Sequence, residues 1–230
     1  MTLEIKDSAK SKQMWSTSAS IVLAIFSLIS GATIFALAYF GMKQKSGLGS
    51  FNQPVLNWMV NHRQDQITEI MKIITKIGDP SVFIFIVIGF AILWAIIKKE
   101  IWRPLLLTAA IGSASIVSKV IKTITENARP PQSLMVKPIE TDFSFPSGHT
   151  SAMMILCLML GYLICSRSSN IKSFIFWIIS TVLAVSAMTI SRLYMAHHWL
   201  TDTVASVGLC LFIFAFFIII DRIFIKITKR

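Results

Sequence analysis

The sequence predicts an all-α fold, a six-transmembrane-helix bundle with short amphipathic helices in the loop between spans 1 and 2. Three observations carry that expectation. Of 230 residues, 54% are hydrophobic and only 14% are charged, a balance too apolar for a soluble domain of this length. The apolar residues gather in six stretches of helical length, and most charges lie between them. No internal repeat, low-complexity tract or second domain interrupts the pattern, so residues 1–230 read as a single membrane-embedded domain.

The first stretch, 16–42, is too long for the apolar core of a cleavable signal peptide and lacks a persuasive small-residue cleavage site. It is expected to be the first membrane helix. Residues 43–80 are mixed in character, with Ile67, Ile70, Met71, Ile74 and Ile77 at helical spacing. One or two short amphipathic helices on the outer surface are expected there, serving either as a packing cap or as a gate for substrate. The second span covers 81–98 and the third 104–125. Gly112, Ser113, Ser115, Ser118, Lys119 and Lys122 interrupt the third, and small residues allow close helix approach while an ionisable residue in a span points to function. This span is therefore placed in the bundle interior. Stretches 149–166, 173–195 and 200–220 complete the set.

The net charge of +11 comes from 22 Lys and Arg against 11 Asp and Glu. With the N-terminus inside, the cytoplasmic segments hold twelve of these: Lys6, Lys10, Lys12, Lys98, Lys99, Arg103, Arg167, Lys172, Arg222, Lys226, Lys229 and Arg230. The positive-inside rule favours that orientation. Topology thus accounts for most of the basic character, and no nucleic-acid partner is expected. Cys157, Cys165 and Cys210 lie in apolar runs without Cys-x-x-Cys spacing and read as small buried hydrophobes.

Three short segments depart from the apolar pattern. They are "KTITENARP" with Lys122 and Arg129, "PSGH" with Ser147, Gly148 and His149, and "SRLYMAHHWLTD" with Ser191, Arg192, His198 and Asp202. In the six-span topology all three fall at the outer ends of spans three to six, so a convergent polar site is expected on the extracytoplasmic face of the cell membrane. Two arginines and a lysine suit phosphate oxygens, and the turn at Gly148 adds helix N-terminal N–H groups. These features describe a phosphoryl pocket. His198 and Asp202, four residues apart, would share a helix face, with Asp202 holding one imidazole nitrogen while the other meets substrate. His149 would protonate the leaving oxygen as general acid.

Lys122-x6-Arg129-Pro130, Pro146-Ser147-Gly148-His149 and Ser191-Arg192-x5-His198-x3-Asp202 resemble the three signature motifs of the type 2 phosphatidic acid phosphatase superfamily. That superfamily also contains vanadium haloperoxidases and soluble acid phosphatases. The resemblance implies a metal-independent, cofactor-free lipid phosphatase acting through a phosphohistidine on His198. It implies that Lys122, Arg129 and Arg192 bind phosphoryl oxygens and that Ser147 and Gly148 add hydrogen bonds. The partners implied are the bilayer and a membrane lipid phosphate: phosphatidylglycerol phosphate, phosphatidic acid or a polyprenyl diphosphate such as undecaprenyl diphosphate. For a diphosphate, Lys137, Lys43 or Lys45 could add charge.

Competing readings fall on several of these residues. His197 adjoins His198, but the motif spacing selects His198 and leaves His197 a rim or packing role. Lys119 is expected to snorkel, and His62 to be solvated. Ser191 could serve either phosphate or its own backbone. A lipid or ion transporter is the alternative function; it would place charges near the middle of several spans rather than at one end.

Overall fold

A computed structural model describes residues 15–166 and 170–228. Eight α-helices follow one another: α1 (Thr17–Gln44), α2 (Asn52–Asn61), α3 (Asp65–Ile77), α4 (Pro80–Lys98), α5 (Trp102–Thr125), α6 (Gly148–Cys165), α7 (Ile171–Tyr194) and α8 (Leu200–Thr228). The described residues contain no strand. α1, α5, α6, α7 and α8 are each long and apolar enough to cross a membrane, whereas the apolar helix Phe83–Lys98 falls short of that length. Lys6, Lys10, Lys12, Arg167, Lys229 and Arg230, half of the expected inward-facing cations, lie outside the described residues.

Helix ends follow from local chemistry. Ser16 opens α1 by accepting from the Ala19 N–H at 3.0 Å, Ser147 opens α6 by accepting from the Thr150 N–H, and Asn170 opens α7 by accepting from the Lys172 N–H. Each side-chain oxygen satisfies a donor that the helix would otherwise strand. α5 stops at Glu126, whose φ of 47° is left-handed, and the following Pro130 and Pro131 cannot resume a helix.

α6 lies among α5, α7 and α8, and α8 in turn packs along α1. The core between them holds Leu107, Ala110, Ile155, Met159, Leu163, Ile213 and Ile218. Small residues set the α1–α8 spacing. A Cβ on Gly208 would stand 2.5 Å from the Phe35 backbone nitrogen and 2.8 Å from the Gly31 carbonyl oxygen, inside any tolerable contact. Where lipid is as apolar as the helix surface, close backbone packing of this kind holds helices together. Gly208→Val is therefore expected to destabilise the protein by about 1–3 kcal/mol, read as a lower Tm in detergent. Gly112→Ala, at a position with nothing within 4 Å, should leave Tm in place; equal Tm values for the two variants would refute this packing account.

At the pole away from the histidines, Asp221 of α8 accepts from Trp102 Nε1 at 2.9 Å and from the Tyr162 hydroxyl at 2.7 Å, while Arg222 donates to the same hydroxyl at 3.1 Å. Arg103, expected only to bias topology, is buried, pairs with Glu100 at 3.1 Å and donates to the Leu163 carbonyl. A buried charge is tolerable only with such partners. Thus α5, α6 and α8 are tied at this end by polar contacts as well as by packing.

α2 and α3 fill the segment between α1 and α4 and pack against α7. Arg63 between them donates to the carbonyls of Tyr194 and Leu134, and the Tyr194 hydroxyl accepts from the Gln64 N–H at 2.9 Å. α3 keeps Ile70, Ile73 and Ile77 exposed on its other side.

Candidate active site

The two residues between α7 and α8 that matter most are His198 and Trp199, since α8 begins only at Leu200. His198 therefore does not share a helix face with Asp202 as the four-residue spacing suggested. Instead Asp202, third residue of α8, reaches back: its Oδ2 accepts from the Trp199 N–H at 2.8 Å and lies 3.2 Å from His198 Nδ1. An acidic side chain at this position bonding the residue before the helix is half of a capping box. Here the cap also orients an imidazole. Asn127 Nδ2 approaches the other oxygen at 3.4 Å, and both His198 and Asp202 are buried.

With Nδ1 held by Asp202, the Nε2 face of His198 points toward Arg129, whose Nη1 stands 3.2 Å away. Arg129 also donates to the His197 carbonyl, and its Nη1 pairs with Glu140 at 2.7 Å while Nη2 pairs with Asp142 at 2.5 Å. Lys122, in the last turn of α5, pairs with Asp142 at 2.9 Å and donates to the Phe143 carbonyl. Arg192 is 0% exposed and pairs with Glu140 through Nη2, but its Nε and Nη1 are buried without a hydrogen-bond partner in the described structure. Unsatisfied guanidinium donors in a desolvated place are costly unless an anion meets them.

The "PSGH" turn meets this network from α6. The Ser147 N–H donates to the Asp202 carbonyl at 3.1 Å, and its side-chain oxygen is the α6 cap, which leaves the hydroxyl hydrogen for another acceptor. Gly148 and His149 occupy the first turn, where helical N–H groups lack intrahelical acceptors. His149 is half-buried. A Cβ on Gly78, past the end of α3, would stand 3.3 Å from its Cδ2.

Lys122, Arg129, Ser147, Gly148, His149, Arg192, His198 and Asp202 therefore belong to one end of the bundle. Sequence reasoning missed Glu140 and Asp142, which join Lys122, Arg129 and Arg192 into one network. The available signal was their position: two of only 11 acidic residues fall between the "RP" and "PSGH" motifs. His197 is a buried packing residue, with Nε2 2.7 Å from the Val136 carbonyl oxygen and Nδ1 3.4 Å from Glu140. Ser191 bonds the Thr75 hydroxyl and the Met71 carbonyl of α3, so it ties helices rather than facing the cations. Lys119 and Lys137 are exposed, and Lys43 reaches only the Thr125 carbonyl at 3.5 Å. No three His, Cys, Asp or Glu side chains among the described residues form a metal-binding group.

Burial, reinforced by the charges of Arg129 and Arg192, holds His198 well below the ordinary imidazole value of 6.5. Burial and Arg192 likewise lower His197, against the opposing pull of Glu140. Both rings are thus neutral at pH 7, which leaves a lone pair on His198. Burial pushes Glu140 and Asp142 up, but the surrounding cations outweigh it and hold both carboxyls below their ordinary values. The linkage follows in sign. Below pH 6.5 the unfolded chain takes up protons at these histidines that the folded protein refuses, so acidification favours unfolding. The carboxylates add a second loss at lower pH, below 4.5 for Glu140. Tm should therefore fall as pH drops through about 6, and a level Tm from neutrality to about pH 5 would contradict the neutral assignment.

A model of the PAP2 superfamily matches residues 102–225, more than half of the chain and all three motifs. The chain belongs to the PAP2 superfamily. Among PAP2 relatives, Phosphatidylglycerophosphatase B of Bacillus subtilis (strain 168) is 31% identical over 157 residues, covering 65% of this chain and 74% of that one. The crystal structure of a transmembrane PAP2 type phosphatidylglycerolphosphate phosphatase from Bacillus subtilis superposes with a TM-score of 0.74 at 22% identity, over 84% of this chain and 96% of that one. Aquifex aeolicus LpxE superposes with a TM-score of 0.50 at 18% identity, over 72% and 94%. The PAP2 fold of this chain is accordingly that of a multi-pass, all-helical membrane protein.

Proposed function

We propose that the protein is an integral membrane lipid phosphatase that cleaves a phosphate ester or diphosphate through a phosphohistidine on His198. The observation that carries it is the convergence of Lys122, Arg129 and the partly unpartnered Arg192 around a buried, neutral histidine held by Asp202. Membership of the PAP2 superfamily and the name of the Bacillus subtilis relative support a lipid substrate, with phosphatidylglycerol phosphate first and undecaprenyl diphosphate second.

In this mechanism the Nε2 lone pair of His198 attacks phosphorus and forms the P–N bond as the P–O bond to the lipid breaks. His149 gives its proton to the departing oxygen, then takes one from the water that cleaves the P–N bond. Asp202 keeps the proton on Nδ1 and offsets the charge that develops on the ring. The three cations stabilise the equatorial oxygens where burial excludes water, and the Ser147 hydroxyl and the Gly148 N–H add donors.

The same reading assigns α4 as a sixth span beside the five long helices, places α2 and α3 at the outer interface, and opens the site to the extracytoplasmic side of the cell membrane. A substrate with its tail in lipid and its phosphate at headgroup level would enter sideways. Phosphate release by purified protein in detergent, with a metal chelator present, tests the activity. Release from phosphatidylglycerol phosphate in preference to undecaprenyl diphosphate is expected; no release from either lipid would sink the phosphatase reading and turn attention to transport.

A further inference from the structure

The two carboxylates in the cation network are held very differently. Glu140 has a side chain 21% exposed, bridges Arg129 and Arg192, and lies 3.4 Å from His197. Asp142 has a side chain 63% exposed, yet it engages Lys122, 14% exposed, and Arg129, 6% exposed. It reaches inward from a surface position to cations that are themselves nearly enclosed.

The chain around Asp142 is anchored on both sides and exposed between. Upstream, the Val136 N–H donates to the Met195 carbonyl at 3.0 Å; downstream, the Ser144 N–H donates to the Asn127 carbonyl at 2.9 Å. Ile139, Thr141, Asp142 and Phe143 between these anchors are exposed. The cations do not depend on Asp142 for their placement. Lys122 also holds the Phe143 carbonyl, and Arg129 also holds Glu140 and the His197 carbonyl. Arg129 is engaged along its whole fork: Nε donates to the Asp142 backbone carbonyl, Nη2 to the Asp142 carboxylate, and Nη1 is shared among Glu140, the His197 carbonyl and His198. A phosphoryl group that takes the Nη2 edge of Arg129 together with Lys122 meets the Asp142 carboxylate there, and of the acceptors on these two cations it is the side chain most open to solvent.

We propose that Asp142 is a displaceable internal anion, whose carboxylate occupies Lys122 and Arg129 between turnovers, gives way to the substrate's phosphoryl group and returns as inorganic phosphate leaves. The proposal rests on the phosphatase reading for its substrate, although the competition itself concerns any phosphate that reaches these cations. A site available only part of the time binds every competing anion more weakly by one common factor. That equality separates a latch from a residue that shapes the pocket for one ligand.

The test compares Asp142→Asn and Asp142→Glu with the parent protein in detergent. Ion pairs with one exposed partner are weak, so the Asn variant should lower both the KM for phosphatidylglycerol phosphate and the inhibition constant for inorganic phosphate by about twofold to fivefold, and by the same factor. The Glu variant should keep both near the parent values. Calorimetric titration with inorganic phosphate alone should show the same tightening in Asp142→Asn without any turnover. If the parent hydrolyses neither lipid, the phosphatase reading fails while the titration still judges the latch. Phosphate binding that is unchanged or weaker in Asp142→Asn overturns the proposal and makes Asp142 a positioning residue for Lys122 and Arg129.

Discussion

Replacing His198 with alanine is expected to lower the rate of phosphate release by at least about 10³, more than the 10²–10³ that loss of a single charge-stabilising donor costs. The larger effect follows from what the ring supplies. His198 offers the only nitrogen nucleophile that is both held in one orientation by Asp202 and placed beside Arg129 among the described residues. Without it the P–N bond cannot form, and water must attack directly in a pocket built for an imidazole. Binding should survive, because the Phe143 carbonyl still holds Lys122 and Glu140 still holds Arg129 and Arg192 without His198. Asp202 also keeps the Trp199 N–H, so the start of α8 remains capped. The signature is a collapse of kcat with KM within a few-fold of the parent; turnover near normal in His198→Ala would remove the covalent mechanism.

Arg192→Ala is expected to damage both catalysis and stability. Arg192 is fully buried, and its Nη2 is paired to Glu140 while Nε and Nη1 have no acceptor among the described residues. On the phosphatase reading, losing this guanidinium costs at least about 10²–10³ in kcat. Removing one partner of a buried pair also leaves the other charge short of compensation, at a cost of about 3 kcal/mol. Glu140 keeps Arg129, which moderates the loss and allows the variant to fold. Arg192→Lys restores charge without the planar fork, so it should recover part of the Tm but little of the turnover. Steady-state kinetics with thermal melts would separate these effects, and parent-like kcat in Arg192→Ala would exclude a role in phosphoryl stabilisation.

The helices, their near boundaries and the order of the motifs were legible in the sequence. Apolar runs long enough to bury a backbone in lipid leave few alternatives to a helix, and α1 and α5 to α8 begin and end within a few residues of the expected limits except for the longer end of α8. The sequence also marked Lys122, Arg129, His149, Arg192, His198 and Asp202 as one polar cluster by residue type and spacing, and the structure brings them to one end of the bundle. The route by which Asp202 reaches His198 could not be read there, since four-residue spacing fits both a helix face and a cap reaching back past the helix start. Only the tertiary structure brought Glu140 to Arg192, 52 residues away in the chain, and Asp142 to Lys122, 20 residues away. Those contacts have no period and no motif. They arise where an irregular segment, pinned at Val136 and Ser144, folds over the ends of α5 and α7, and charge then pairs with whatever the packing has placed beside it.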